Sequence, residues 1–541
     1  MSEAKNDRAL RVLLAGWAAL AVASIWLRPL WPVDETRYAS VAWEMWLRGD
    51  FLVPYINGEP YSHKPPLLFW IIHAGWAVFG VNDWWPRLVG PLFAFAAVPL
   101  TLKLGRLLWP EDREAPTGAV WALFGTLLFA GFVTLTMFDL LLLDCAIVGM
   151  IGVVALAQGR RRAGILWLGA GIGLGVLTKG PVILLHVLPA AVAAPWWAPQ
   201  LKGRLRRWYL DLFAGVLLGA AIALAWALPA GYFGGEAYRR AIFWGQTAGR
   251  VSESFAHRAP WWYYLPQLPL ILFPFCVWPR FWSGLRNALR EKHPGTRFLA
   301  SWLVLTVVGF SLVSGKQAKY LVPFLPGFAL LAGYALQRAR EPARAWEMWP
   351  PALGFLALPA FLAWLRGAPA AMKLPEWAGQ IPVWPIVILA LAAPLLLIFS
   401  RRETRTQLRA LGFATLGAAA VVVAGVVPAF VPYGDPGPAA RELAALQARG
   451  VPLAHLGKYH GTYNFVGRLH QPMEILDPPE VAGWLAAHPD GRIMTIERGR
   501  AAPAAAARPD YEAPFRGAWV QLWRGEALLA VRPDLRAGQL R

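Results

Sequence analysis

Apolar runs of membrane-crossing length recur through most of the chain. They fall near residues 11–29, 87–108, 116–137, 140–158, 163–178, 181–198, 210–232, 262–281, 298–313, 319–337, 346–365, 381–400 and 409–432. A hydrocarbon core about 30 Å thick needs about 20 helical residues to cross it, so the pattern predicts a polytopic α-helical membrane protein with about 13 transmembrane helices. One further run, Pro66–Gly80, is too short for a full crossing and reads as a re-entrant or surface-lying helix. Beyond residue 432 the pattern changes. Helix-like stretches (438–449, 479–488) alternate with strand-like ones (451–456, 492–497, 518–531). This predicts a membrane domain over 1–432 and a small soluble α/β domain over 433–541. The stretch Arg500–Pro509 is Ala/Pro-rich and reads as loop, and no internal repeat stands out.

Charge orients the helices. Hydrophobic residues make up 57% of the chain and charged ones 16%, against about 25% in soluble domains. That excludes disorder and coiled coil. The net charge of +20 would suggest nucleic acid in a soluble protein. Here Lys and Arg gather in loops that fall on one side, provided Pro66–Gly80 does not cross, and the positive-inside rule makes that side cytoplasmic. No nucleic-acid partner is expected. The first apolar run reads as a retained span of an inner-membrane protein. Both cysteines, Cys145 and Cys276, lie in apolar segments, so no disulfide framework is expected.

The opposite, periplasmic side receives the long loops 29–86 and 232–260 and the C-terminal domain, and with them the candidate chemistry. Asp34, Glu35 and Arg37 open an amphipathic helix just outside the first span. Asn57-Gly58 is a turn signal. Lys64 precedes two prolines that hold it extended. Asp139 closes the third span, with Asp144 five residues on. Acids at such depth default to function. The second loop carries Arg239, Arg240, Arg250, His257 and Arg258, and a short turn carries Lys316, Lys319 and Tyr320. Cations and acids on one face suit chemistry on a phosphorylated lipid, with cations holding phosphate and an acid orienting or deprotonating the acceptor. His63 and His257 are isolated, so they offer only scattered metal ligands.

These residues also carry a resemblance. Asp34-Glu35-x-Arg37-Tyr38-Ala39, Gly49-Asp50, Asn57-Gly58, Pro60-Tyr61 and Lys64-Pro65-Pro66-Leu67, with Phe138-Asp139 and Lys316-x-x-Lys319-Tyr320-x-x-Pro323, resemble the motifs of the polyprenyl-phosphate-dependent GT-C glycosyltransferases. The match is to the bacterial relatives of protein O-mannosyltransferases. Within that superfamily, the chain length, the thirteen expected spans and the C-terminal domain are similar to the transferases that move aminoarabinose from undecaprenyl phosphate to lipid A. The resemblance implies a GT-C fold, an undecaprenyl phosphate-linked sugar donor and lipid A or its precursor as acceptor, with membrane lipids around both. It implies that Asp34 is the principal catalytic acid and Asp139 assists, with Glu35 grouped beside them. It implies that Arg37, Lys64 and Arg250 hold the carrier phosphate, while Tyr61, Tyr320, Lys316 and Lys319 line the cavity. It requires no cofactor and leaves a divalent metal ion open. One departure is visible: the family places an acid before Lys-Pro-Pro, whereas this chain has Ser62-His63. Transfer of mannose or another hexose to protein or glycan is the alternative within enzymes. A lipid transporter is the alternative outside them, and it would keep its ionisable residues at mid-span.

Overall fold

The computed structural model describes residues 2–245, 258–368, 372, 375–498 and 507–536. Among the described residues, eight helices are long and apolar enough to cross a bilayer, Arg8–Leu27, Trp84–Leu108, Phe138–Ala157 and Leu205–Phe233 being four of them. Three shorter apolar helices, Leu67–Phe79, Ile183–Val192 and Val383–Ile398, accompany them. The chain is a multi-pass membrane protein. The run at Pro66–Gly80 becomes the 13-residue helix Leu67–Phe79.

Three expected crossings are not single helices; one of them, the run 181–198, forms Ile183–Val192 and Ala194–Trp197. The run 116–137 breaks at Thr126, whose backbone is extended, into Glu114–Gly125 and Leu127–Phe132. The run 262–281 contains Pro266, Pro269, Pro274 and Pro279 and forms the short helix Leu268–Ile271 and the 3₁₀ turn Phe275–Val277 before the helix Pro279–Arg290 begins. Proline removes a donor and clashes with the preceding turn. These last two breaks satisfy one another: the Leu127 N–H donates to the Phe273 carbonyl at 2.9 Å. The Thr126 hydroxyl donates to the Ala122 carbonyl at 2.7 Å. Irregular backbone persists in a membrane protein where protein groups pair with it.

Contacts divide the chain into two units. One comprises Met1–Ile25, Ser62–Trp364 and Val383–Val423; the other comprises Trp26–Tyr61, Leu365–Pro382 and Ala424–Arg541. The first loop therefore contributes to both.

In the first unit the central feature is a helical hairpin, Phe138–Ala157 and Arg161–Lys179. The turn between them uses Gly159 at φ 80°, a conformation that glycine adopts without strain. The two helices approach through glycines. A Cβ on Gly152 would lie 2.3 Å from the Leu168 nitrogen, and one on Gly171 would lie 2.4 Å from the Gly149 nitrogen. Small residues permit such contact between membrane helices. The helix Phe138–Ala157 is buried almost throughout.

The second unit is built on a five-stranded mixed sheet. Its strands are β3 (Leu453–Leu456), β4 (Glu474–Leu476), β5 (Arg492–Glu497), β6 (Tyr511–Phe515) and β7 (Ala518–Arg524), in the order β4-β3-β5-β7-β6. The pairs β3–β4 and β3–β5 are parallel; β5–β7 and β6–β7 are antiparallel. Alternation along a strand sends neighbours to opposite faces. Thus Met494 and Leu522 join Leu443 and Tyr463 in one core, and Ile493 and Trp523 join Trp484 and Leu485 in another. The helix Gly437–Ala448 matches the expectation over 438–449.

The loop residues 26–61 are tied into this unit. A small hairpin pairs β1 (Tyr55–Ile56) with β2 (Glu59–Pro60) in the register Ile56 to Glu59. Its turn residues, Asn57 and Gly58, have φ of 53° and 90°, as Asn-Gly hairpin turns require. The Asn57 amide also donates to the Met473 carbonyl at 2.8 Å and accepts from the Met473 N–H at 3.0 Å. The helix Asp34–Arg48 is held likewise: the Ser40 hydroxyl donates to the Gly461 carbonyl at 2.6 Å, and the Trp43 indole donates to the Leu469 carbonyl at 2.9 Å.

Asn57→Ala removes both bonds to Met473 and leaves a Cβ residue in left-handed backbone. We expect a loss of about 2–4 kcal/mol, seen as a lower unfolding midpoint and faster proteolysis within 26–61; an unchanged midpoint refutes the clamp. His455 on β3 supplies a pH test. It is 2% exposed, and burial lowers its pKa from 6.5 to about 4. The unfolded chain therefore binds the proton first as pH falls. Stability is full above about 6.5 and is lost between 6.5 and 4, by roughly 3 kcal/mol. Melting curves of wild type and His455→Gln across pH 4–7 should diverge in that window.

Candidate functional site

The helix Asp34–Arg48 begins where the first loop turns, and its sequence places two acids in its first turn. Carboxylates there oppose the positive end of the helix. The two point to different partners. Glu35 is 2% exposed and meets Arg28 through two bonds, of 2.5 and 3.0 Å, while the Trp31 N–H donates to it at 2.9 Å. Glu35, grouped with the acids in the sequence, is thus engaged in holding the loop. Arg28 was not singled out by sequence.

Asp34 is more open. It pairs with Arg37 three residues on, and their side chains are 29% and 17% exposed. Burial opposes the Arg37 charge, but Tyr61, Tyr38 and Asp34 together raise its pKa above the ordinary guanidinium value. Arg37 also lies 5.6 Å from the centre of the Tyr38 ring. Asp34, Arg37 and Tyr61 all belong to the second unit.

The first unit assembles its own group. Asp139 and Lys179 lie twenty residues to either side of Gly159 (159 − 139 and 179 − 159), so the antiparallel hairpin brings them level. The Lys179 ammonium meets the Asp139 carboxylate at 2.6 Å, with exposures of 11% and 2%. It also sits 4.9 Å from the centre of the Tyr320 ring. Lys179 is not among the residues that the sequence singles out. Its signal was its place at the end of a helix whose hairpin partner begins with an acid.

Other sequence candidates of this unit fall differently. Lys316 is turned inward: its ammonium donates to the carbonyls of Ala259 at 2.9 Å and Val313 at 2.5 Å, and burial lowers its pKa. It braces the turn that pairs with Arg258 through a bridge to Gly315. Lys319 and Tyr320 are half-buried in the 3₁₀ helix Ala318–Phe324. Lys64 is half-buried and His63 exposed. Asp144 is buried, and neither of its oxygens has a hydrogen-bond partner among the described residues. Arg250 and His257 lie outside the described residues. Among the described residues no three His, Cys, Asp or Glu side chains gather to hold a metal ion.

The fold matches the crystal structure of ArnT from Cupriavidus metallidurans bound to undecaprenyl phosphate, with a TM-score of 0.74 over 95% of this chain and 97% of that one, at 19% identity. The apo form gives the same score at 20% identity, over 96% and 98% of the two chains. The Dolichyl-phosphate-mannose-protein mannosyltransferase family matches residues 63–233. A GT-C fold carrying these groups defines a membrane glycosyltransferase that draws on a lipid-linked sugar. The chain belongs to the undecaprenyl phosphate-alpha-4-amino-4-deoxy-L-arabinose arabinosyl transferase family. A member from Pseudomonas paraeruginosa is 35% identical over 401 residues, covering 67% of this chain and 70% of that one. A member from Pseudomonas aeruginosa matches to the same extent.

The buried pair gives a direct test. Asp139→Asn or Lys179→Met alone leaves an unmatched charge and should destabilise by about 3–5 kcal/mol. The double variant Asp139→Leu with Lys179→Met should regain most of that in a melting experiment. Additive losses would mean the two groups do not depend on each other.

Proposed function

We propose that this chain transfers 4-amino-4-deoxy-L-arabinose from undecaprenyl phosphate to a phosphate of lipid A, in the bacterial inner membrane, with its reactive groups facing the periplasm. The observation that carries the reading is the partly open Asp34–Arg37 pair at the head of a helix, in a chain of this family. The relatives are named for that donor, and a structure of the same fold is bound to undecaprenyl phosphate. The basic loops support the orientation.

The reaction is a single displacement with inversion. A phosphate oxygen of the acceptor attacks the anomeric carbon, and the bond from that carbon to the carrier phosphate breaks. The electron pair leaves with undecaprenyl phosphate. A phosphate monoester carries about −1.5 to −2 charge near neutral pH, so the nucleophile is already ionised and needs no strong base. Asp34 orients the groups and meets the amine of the sugar. Arg37, Lys64 and Arg250 neutralise the departing phosphate, as fixed donors do where charge develops. Asp139, locked to Lys179, acts as a positioning group. The family motifs in which Tyr61, Lys319 and Tyr320 stand support giving them contacts with the substrates.

Purified full-length protein, incubated with aminoarabinosyl undecaprenyl phosphate and lipid A, should add one sugar to lipid A in a mass spectrum and none to an acceptor peptide. Asp34→Asn should lower kcat by more than about 10⁴-fold, beyond what loss of a general base usually gives. Transfer to peptide instead of lipid A would overturn the substrate assignment. A fall of only about 10²-fold with an intact fold would return Asp34 to the part of a simple base.

A further inference from the structure

The second unit carries a set of cations that the transfer chemistry described above does not use. The loop between β3 and β4 leaves the sheet at Gly457, whose N–H donates to the Leu476 carbonyl at 2.9 Å. It then folds against the helix Asp34–Arg48. Ser40 is the anchor. Its hydroxyl donates to the Gly461 carbonyl at 2.6 Å and accepts from the Phe465 N–H at 3.0 Å. The fit is close, since a Cβ on Gly461 would lie 2.5 Å from the Ile56 side chain. The loop is also braced from within: Tyr459 donates its hydroxyl proton to Asn464 at 2.5 Å and accepts from the Tyr463 N–H at 3.0 Å.

Ser40 lies three residues after Arg37, and residues so spaced share a helix face. Pinning Gly461 to Ser40 therefore delivers the adjacent His460, and Lys458 two residues earlier, toward the turn that carries Arg37. A third cation comes from the turn between β6 and β7. Arg516 stands there at φ 55°, and its N–H donates to the Tyr433 carbonyl at 2.7 Å. The charges of Arg37, Lys458 and Arg516 all bear on His460. Partial desolvation by the loop around its ring first, then those charges, lower its pKa, so it stands there as a neutral donor.

Lys458, His460 and Arg516 are exposed, and their side chains make no hydrogen bond or ion pair among the described residues. Arg37 has Asp34 as its carboxylate partner. Three formal positive charges against one negative leave a surplus of two, on a scaffold whose hydrogen bonds hold them together. Like charges so gathered repel one another until an anion arrives.

We propose that Lys458, His460 and Arg516, standing beside the Asp34-balanced Arg37, form the site that holds the dianionic phosphate monoester headgroup of the acceptor lipid. The proposal rests on the transfer reading above and deepens it by assigning acceptor recognition to the C-terminal residues. Charge distinguishes the two lipids. The sugar-linked carrier phosphate is a diester with a single negative charge, whereas the acceptor monoester carries close to two near neutral pH and matches the surplus. Transfer converts that monoester into a diester. The acceptor thereby loses a charge while the cations keep theirs, so the product binds more weakly than the substrate.

The test uses the full-length protein in nanodiscs. Lys458→Gln, Arg516→Gln and their combination are compared with the charge-conserving pair Lys458→Arg and Arg516→Lys. All four changes fall on exposed side chains, and melting curves check the fold. The KM for lipid A should rise on the order of tenfold for each cation removed, with the KM for the aminoarabinosyl carrier unchanged. The charge-conserving pair should stay near wild type. Binding to phosphatidylcholine nanodiscs doped with lipid A should fall in the double Gln variant and should be weak for wild type when the lipid A has been dephosphorylated. An unchanged acceptor KM, or a rise confined to the carrier KM, overturns the proposal. If the wild type transfers no sugar to lipid A, the transfer reading fails. The binding measurement still decides this site: loss of lipid A binding in the double Gln variant supports it, and equal binding of phosphorylated and dephosphorylated lipid A overturns it.

Discussion

A carboxylate that stays ionised among apolar side chains must be met by a cation or hydrogen-bond donors, because the charge gains too little from its surroundings. Asp139 meets that demand through Lys179, and the geometry of the first unit follows from it. The pair is formed only if two helices run antiparallel with twenty residues on each side of their turn. Glycines along the shared face let the backbones approach, and Gly159 closes the turn. Residues that have no part in chemistry, such as Gly152 and Gly171, therefore decide where an acid stands. The pair is a poor candidate for exchange with solvent or substrate. Breaking it strands a charge in a buried place, which is costly. It serves the proposed transfer as a fixed reference, with Tyr320 resting against the ammonium.

The Asp34–Arg37 pair has the opposite character. Both side chains are partly open, so solvent screens part of the attraction between them. Such a pair can trade partners at small expense, and in the proposed transfer the guanidinium is free to turn toward phosphate while the carboxylate turns toward the sugar. That freedom is tolerable because the helix under it is rigid. Glu35 and Arg28 lock its start, Ser40 and Trp43 lock its middle, and Asn57 locks the hairpin beyond. The adaptable pair thus stands on a scaffold that the C-terminal residues complete.

What the sequence made legible divides along physical lines. Hydropathy found where the apolar helices are, since the demand of hydrocarbon on a spanning segment is compositional. It misread 116–137, 181–198 and 262–281 because composition does not report backbone continuity; in the first and last of these, Thr126 and four prolines carried that information. In the C-terminal unit, the helix over 437–448 and the strand over 492–497 matched their patterns. The strands β4 and β6 did not register. β4 has only three residues, and β6 is an edge strand containing Pro514, a position that tolerates proline because one side of the strand lacks a partner. Residue type indicated charge but not direction. Lys316 and Lys319 looked alike, yet Lys316 turns inward to carbonyls. Asp34 and Glu35 are neighbours, yet successive helical positions point to different surroundings. Lys179 was hidden because its partner lies forty residues away in sequence, and only the hairpin brings them level.

Charge gives the proposed reaction its direction. Before transfer the acceptor phosphate is a monoester and the donor phosphate a diester. Afterwards the roles are exchanged: the modified acceptor is a diester and the released carrier a monoester with close to two negative charges. A protein with one undifferentiated cationic surface would hold the carrier product as firmly as it held the acceptor, and would be inhibited by it. Two sets of cations with different surpluses avoid that outcome. On the acceptor side, Lys458, His460 and Arg516 lose their match when the bond forms. On the carrier side, Arg37 shares its charge with Asp34, so its net attraction for the departing phosphate is limited even as it steadies the transition state. Binding that strengthens at the moment of bond breaking and weakens after it is what turnover requires, and an acid beside a phosphate-binding cation is a direct way to obtain it.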